Sequence, residues 1–286
     1  MRDKINVLNV DMSGMNNSEK LRKLLLDSTS RCTEGHDEVA LCLSGGIDSA
    51  SLLYCLLELN KEITCYTFYL ENYISSDLKS ARRLSKKHDI PLVEVEIPRK
   101  NIKKDLITLA KYGCNKKVFF ETKVHLLYLF PQIKQKLVLN GEEADMWNGN
   151  LKSVAIRGKN QEVFNKMRLE EWDYYRDVDF KINENIAKDN GLILKSPYFD
   201  KDILNFYLQF DWYYLNKPTE KWMTLQAFKE YFKEDGYRKQ SSYQKNSGMR
   251  EYMGTFLFDN TINVNNRKSM MGVYMDIYKK YGEPVK

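Results

Sequence analysis

The run Val39-Ala40-Leu41-Cys42-Leu43 leads directly into Ser44-Gly45-Gly46-Ile47-Asp48-Ser49, and this junction limits the fold more than any other stretch. The apolar run reads as a buried strand. From Ile47 the spacing becomes helical, with Ile47, Leu52, Leu53, Leu56 and Leu57 on one face. A strand that passes through a glycine turn into a helix aims the backbone N–H groups of the helix start at an anion. Two glycines allow a tight bend and a close approach without a Cβ in the way. Ser44 and Ser49 add hydroxyl donors. Asp48 is a carboxylate where phosphates are expected, which is tolerable when a divalent cation lies between them. The loop therefore reads as a pyrophosphate site carrying Mg²⁺, with an ordinary serine-capped turn as the plainer reading. It fits neither the Walker pattern nor the Rossmann fingerprint.

The surrounding chain repeats the alternation. Strands are expected at 63–70, 91–97 and 136–140, the third ending in Asn140-Gly141. Helices are expected from Ser18 as cap, with Leu21, Leu24 and Leu25 on one face, and at 77–88, 102–112 and 117–130. This pattern predicts an α/β fold with a doubly wound, mostly parallel sheet, whose ligands sit at the carboxyl edge of the strands. Ser44 and Gly141 both fall at that edge. Residues 1–17 read as an N-terminal arm, 18–158 as the α/β nucleotide-binding core, and 159–286 as a helical C-terminal part that completes the site. Beyond 160 strand signals fade and aromatic residues gather, among them Trp172, Tyr174, Tyr175, Trp212, Tyr213, Tyr214 and Trp222. Such residues serve as core far more often than as base-stacking platforms.

Totals exclude several classes. A 43% hydrophobic, 29% charged chain of 286 residues is an ordinary globular protein with room for an ample core. Its net charge of +6 suits an anionic ligand without demanding nucleic acid. The five cysteines form no Cys-x-x-Cys pair and the three histidines are scattered, which argues against zinc and for reduced, buried thiols. No stretch approaches the roughly 20 apolar residues of a membrane span, so a cytoplasmic protein with no membrane partner is expected. His88 and His125 lie in helical patterns and read as packing or surface residues.

A second stretch, Asn140-Gly141-Glu142-Glu143-Ala144-Asp145, places three carboxylates at a strand end, a poor structural choice unless the charge is used. Glu142 and Asp145 bracket one turn, so both are expected to face the glycine loop. Asp48 and Asp145 would supply the hard oxygens that Mg²⁺ prefers. Glu142 could act as a general base or hold an incoming amine. Taken alone, the segment is equally readable as a solvated acidic loop.

Ser44-Gly45-Gly46-Ile47-Asp48-Ser49 resembles the SGGxDS loop of the PP-loop ATP pyrophosphatases, matching every fixed position. Gly141-Glu142-Glu143-Ala144-Asp145 resembles the Gly-Glu-Gly-Ala-Asp-Glu segment of asparagine synthetases. Lys195-Ser196-Pro197-Tyr198-Phe199-Asp200 stands where that family has Arg-x-Pro-Phe-Leu-Asp, and Tyr243 to Met249 resembles its basic segment. The resemblance spans about residues 19–250 in the expected order. It implies the adenine nucleotide alpha hydrolase-like (HUP) fold and an AMP- and pyrophosphate-forming ligase. ATP phosphates would be bound by Leu43, Ser44, Gly45, Gly46, Asp48 and Ser49, with Asp48 and Asp145 on Mg²⁺. Asn140 and Gly141 would contact the nucleotide and Phe68 would flank the adenine. Lys245 would neutralise the departing pyrophosphate, and Glu142 would assist the attack of an amine on an acyl-adenylate.

The chain also departs from the family. Glu143 replaces a glycine, Met146 an acidic residue, Gly149-Asn150-Leu151 a Gly-Gly-Tyr, and Lys195 an arginine, which loses the planar fork. Asn185 stands where a phosphate-contacting lysine is expected, with Lys181 one turn earlier as substitute. The chain opens on Met1-Arg2 rather than on the nucleophilic cysteine of a glutaminase domain. The expected partners are thus a small carboxylate and free ammonia, a separate glutaminase, or an amine built into a second substrate. Two other readings stay open: modification of a nucleobase in tRNA or DNA, supported only by the basic helix of Lys79, Arg82, Arg83, Lys86 and Lys87, and a degenerate nucleotide-binding subunit.

Overall fold

In the computed structural model the described residues are 15–149, 160–237 and 246–285. Five parallel strands form one sheet in the order β3-β2-β1-β4-β5. They are β1 (Glu38–Cys42), β2 (Glu62–Leu70), β3 (Leu92–Ile97), β4 (Leu137–Leu139) and β5 (Ile193–Lys195). Alternation along the central strands separates two cores. Val39, Leu41, Leu137 and Leu139 face one side, with helices α1 (Asn17–Cys32) and α2 (Ile47–Glu58). Ala40, Val138 and Leu194 face the other, against helices Ile102–Lys111, Phe180–Asp189 and Met249–Gly254. With both faces covered, β1 and β4 are continuous apolar runs.

Chain order creates the crevice. From β1 the chain moves outward through α2, β2, helix α3 (Ser76–Lys87) and β3, then returns to lay β4 on the opposite side of β1. The loops after β1 and β4 therefore diverge, the geometry that opens a ligand crevice in doubly wound sheets. Apart from Asp48, residues Ile47 to Leu56 of α2 are all buried, which fits a helix that is packed on nearly every side.

The structure amends the expectations in two places. The cap of α1 is Asn16, not Ser18. Asn16 accepts from the Ser18 and Glu19 amides while Glu19 accepts from the Asn16 amide, a reciprocal capping box that Ser18 cannot form from inside the helix. The strand signals do not end at 160, since β5 joins β4 from the later half of the chain. At three residues, Ile193-Leu194-Lys195 is too short for alternation to reveal it. The aromatic residues near 172 are core. Trp172 stacks on Phe199 at 4.3 Å and lies 5.2 Å from Trp147. Among the described residues no helix is long and apolar enough to cross a membrane.

Two buried polar centres tie the helical layers together. Arg168 donates to the backbone carbonyls of Trp147 (3.2 Å), Tyr207 (2.8 Å) and Phe210 (3.0 Å), and burial lowers its guanidinium to about 9. Asp235 accepts from Tyr54 (2.9 Å) and contacts Lys87 (2.6 Å) and His88 Nε2 (2.7 Å). Arg83 donates to the Asp235 carbonyl, and Arg82 is held in a fork by Glu94 at 2.6 Å. Arg82, Arg83 and Lys87 are thus engaged within the chain, which removes much of the support for a nucleic-acid surface on α3.

Burial alone would raise the Asp235 carboxyl, but hydrogen bonds from Lys87, His88 and Tyr54 outweigh it and hold the group below its usual range. A depressed carboxyl stabilises the fold above its unfolded pKa of about 3.9, and that contribution is lost as pH falls through the folded value. Asp235→Asn is expected to cost about 3 kcal/mol at pH 7. It should also flatten the acid limb of stability, as measured by denaturant unfolding between pH 3 and 7.

Candidate active site

The glycine loop lies at the carboxyl end of β1 and continues the sheet by one bond, Leu43 N–H to Tyr66 O at 2.8 Å. Gly45 has φ +69, and a Cβ there would meet the Ser80 carbonyl carbon at 2.7 Å and the Ala81 nitrogen at 2.9 Å. The turn admits only glycine. Gly46 enters α2 without a side-chain cap, so the first amides of a well-buried helix are left for an external acceptor. Ser44 and Ser49 join by their hydroxyls (3.1 Å), and Ser44 Oγ also accepts from the Gly46 amide (3.3 Å). The arrangement is a compact cluster of donors.

The β4 loop meets it at van der Waals distance. A Cβ on Gly141 would lie 3.1 Å from Asp48 Cβ and 3.2 Å from Ser49 N, so the bare backbone lets the two strand ends close. Asn140 holds the edge of β5 through its amide, 3.2 Å from Lys195 O. The segment after β5 locks the frame. Tyr198 shares a hydrogen bond with Ser51 (2.6 Å), Trp147 donates to Tyr198 O (2.8 Å), Ser28 donates to Pro197 O (2.7 Å), and Arg31 pairs with Asp200 (2.5 Å).

Asp48 and Asp145 converge, and the group between them is Lys221. Its ammonium pairs with Asp48 and lies 2.5 Å from Asp145. Lys221 is fully buried and left-handed (φ +56). Asn216 places it, donating to Asn148 O (2.5 Å) and accepting from the Lys221 amide (3.0 Å). Burial raises the Asp48 carboxyl to about 6, aided by Asp145 and opposed by Lys221. Burial would lower the Lys221 ammonium, but Asp145 and Asp48 together raise it, so it is charged. Asp48 Oδ1 is buried with no hydrogen-bond partner. Two carboxylates converging on one cation, one of their oxygens still unpartnered, form a donor set that suits a hard divalent ion.

Glu142 does not share that centre. Glu143 has φ +71 and starts the helix Ala144–Asn148, and this left-handed step sends Asp145 toward Lys221 and Glu142 the other way. Glu142 accepts from Asn183 (2.5 Å) and lies 3.7 Å from Lys123, which also pairs with Asp179. Burial raises Glu142, with Asp179 adding to it and Lys123 and the Asn183 and Asn140 amides opposing. Glu143 is pushed well up by burial and by Glu142. Tyr175 lies beside both groups. Burial raises its hydroxyl, as do Asp179, Glu143, Glu142 and Asp145.

Of the other sequence-predicted residues, Phe68 lies on β2 two positions beyond Tyr66, the last residue paired to β1, and stacks on His125 at 4.5 Å. One face of its ring is therefore occupied within the chain. Lys181 pairs with Glu184 at the surface (3.4 Å), away from the two ion centres. Lys245 lies outside the described residues. Lys123 and Lys221, the buried cations of the two centres, were not singled out from the sequence. Neither stands in a motif, and their partners are up to 173 residues away.

The comparisons with known proteins fit this geometry. Residues 20–152 match the family described as asparagine synthase. The chain is 26% identical over 202 residues to the protein of Methanocaldococcus jannaschii named as glutamine-hydrolyzing asparagine synthetase 1, covering 66% of this chain and 36% of that one. It is 27% identical over 150 residues to glutamine-hydrolyzing asparagine synthetase 2 of Bacillus subtilis, covering 50% and 20% respectively. The chain thus spans about a third or less of the length of these relatives. Among solved structures, the U34-tRNA thiolase NcsA of Methanococcus maripaludis aligns at TM-score 0.40 and 12% identity, over 91% of this chain and 80% of the other. NMN synthetase of Francisella tularensis aligns at 0.35 and 15%, over 88% and 95%. Five parallel strands, a glycine loop at the switch between β1 and β4, and the match over residues 20–152 agree: residues 20–152 form an asparagine synthase-type domain of the PP-loop kind.

Proposed function

We propose that this protein is an ATP-dependent, AMP- and pyrophosphate-forming ligase that adenylates a small carboxylate and transfers nitrogen to it. The observation that carries the reading is the convergence of Asp48, Asp145 and Lys221 beside the Ser44–Ser49 loop. The loop amides and the Ser44 and Ser49 hydroxyls bind the β- and γ-phosphates. Asp48 and Asp145 would hold Mg²⁺, which when bound would neutralise phosphate charge. Lys221 has a carboxylate on either side and stays protonated, so it supplies a fixed positive charge where negative charge leaves. Lys245 adds a second. Asn140 and Gly141 line the nucleotide from β4, and Phe68 borders the adenine.

The chemistry balances in two steps. A carboxylate oxygen of the substrate attacks the α-phosphorus, the α–β bridging bond breaks, and pyrophosphate leaves. An amine then attacks the acyl carbon, AMP leaves with the electron pair, and the amine proton passes to a base. Glu142, partly open and braced by Lys123 and Asn183, is placed to orient the amine and accept that proton. Adenylation is needed because a carboxylate oxygen is a poor leaving group and AMP is a good one.

The test is pyrophosphate and AMP release from Mg·ATP with aspartate and a panel of small carboxylates plus ammonium, with parallel reactions on tRNA and DNA. Equal amounts of AMP and pyrophosphate that depend on one carboxylate are expected. Release only with nucleic acid would transfer the reading to base modification, and ATP binding without release would leave a degenerate subunit. Asp48→Ala should lower kcat/KM by about 10²-fold or more. Lys221→Met should depress turnover comparably and also destabilise the apoprotein by about 3 kcal/mol, because it strands two carboxylates. Steady-state kinetics and denaturant unfolding of the same variant check both halves.

A further inference from the structure

Arg82, Arg83 and Lys87 of α3 are engaged by partners within the chain, yet a net charge of +6 remains. The opposite face of the sheet holds a second basic surface. Helix α4 (Ile102–Lys111) and the last described helix, Met270–Tyr281, pack against each other there, and both belong to the core around Ala40 and Val138. They run in the same direction. Lys103 Nζ donates to Thr261 O at 3.1 Å near their starts, and the Glu283 amide donates to Ala110 O at 3.2 Å near their ends. Leu106, Leu109, Ala110, Val273 and Tyr274 are turned inward. Lys103, Lys104 and Lys111 on α4, and Lys279 and Lys280 on the last helix, are exposed, as is Arg267 just before that helix.

Among the described residues no ion pair engages these six cations. The acidic groups nearby do little to offset them. Asp105 of α4 is buried and accepts from the Tyr128 hydroxyl at 2.8 Å, Asp276 is held by Lys268, and Asp259 accepts from the Thr261 amide at 2.7 Å. Glu283 stands at the far end, beyond the last helix. Lys104 and Lys111 are two helical turns apart, so α4 carries a row of charge about 11 Å long.

An exposed aromatic ring adjoins the row. Asn263 is buried and donates to Leu257 O (3.0 Å) and Lys268 O (3.1 Å), while accepting from the Lys268 amide (3.0 Å). One amide side chain thereby fixes the loop 257–268 and sets Phe258 near Lys268. Phe258 is 79% exposed. A row of ammonium groups matches the phosphates of a nucleic-acid backbone, and an open aromatic face matches an unstacked base. A bilayer suits the surface less well, because it would need an apolar row along the helix pair. The outward residues of α4 are lysines, and apolar exposure is confined to the loop and to Met271 and Met275.

We propose that α4, the last helix and the loop 257–268 form a docking face for a single-stranded stretch of nucleic acid, with phosphates along the lysines and a base on Phe258. α4 starts at the carboxyl edge of β3, the edge that also carries the glycine loop, so a strand laid along α4 leads toward the crevice. The face goes beyond the ligase reading and does not depend on it, since it assigns a partner and no step of the reaction.

The experiment is fluorescence anisotropy of a labelled RNA of about 20 nucleotides with the full chain, between about 50 and 300 mM salt. Duplex DNA of the same sequence, phosphatidylserine vesicles and poly-L-glutamate serve as competitors. Saturable binding is expected, with log K falling against log salt at a slope of about −3. Lys104→Glu with Lys111→Glu should weaken binding at least about tenfold and flatten the slope by about 1.4. Lys79→Glu with Lys86→Glu on α3 changes the net charge equally and should leave binding within about twofold. Phe258→Ala should weaken the single strand about fivefold or more and leave the duplex unchanged. All five side chains are exposed, so unchanged unfolding temperatures confirm that the variants fold. No saturable binding, equal loss in the two double variants, or an unaltered Phe258→Ala would overturn the face. So would preferential binding of the vesicles or of poly-L-glutamate. Pyrophosphate release with small carboxylates should persist in the Lys104→Glu, Lys111→Glu variant, so this inference and the ligase reading fail separately.

Discussion

Two carboxylates on neighbouring strand loops are brought together because Gly141 has no side chain. Without that contact Asp48 and Asp145 would sit on separate loops, and nothing would need neutralising between them. With it, the fold must deliver a buried cation to the same point, and it does so with Lys221, a residue contributed by the helical layer rather than by the sheet. Much of the later chain serves that delivery. Asn216 bridges Asn148 and Lys221, Arg168 binds three carbonyls near the same helices, and Tyr198 is fixed to Ser51 on α2. The phosphate loop and the aromatic C-terminal half are thus parts of one electrostatic arrangement.

The β4 loop divides its charges between two centres, and Glu143 is the divider. Because it turns the backbone left-handed, Asp145 meets Lys221 beside the glycine loop and Glu142 joins a separate centre with Lys123, Asp179 and Asn183. Burial raises the Tyr175 hydroxyl, and carboxylates of both centres add to it. A single residue with an unusual backbone angle thus separates the Asp145 and Glu142 side chains within four positions of sequence.

What the sequence makes readable is what is local. The strand–glycine–helix junction, the Asn140–Asp145 segment and four of the five strands show in composition and period, because their signals lie within about ten residues. β5 escapes because only Leu194 of its three residues is buried, whereas the equally short β4 is a wholly buried apolar run. Lys123 and Lys221 escape for another reason: a lysine's partner is set by tertiary contact, and neither sits in a pattern that marks it. The basic helix shows the converse, a strong local pattern whose charges Arg82, Arg83 and Lys87 are engaged by Glu94 and Asp235. The departures from the family motif were legible as departures. The left-handed angle of Glu143 and its burial are visible only once the chain is folded.

The position of Lys221 in the sequence also sets an order of events during synthesis. β1 and β4, with the acidic residues at their ends, are complete by residue 145, and β5 by residue 195. The ammonium that compensates Asp48 and Asp145 comes some 26 residues after the end of β5 in sequence. A sheet whose five strands are all made by residue 195 thus depends on the last third of the chain for the charge at its crevice.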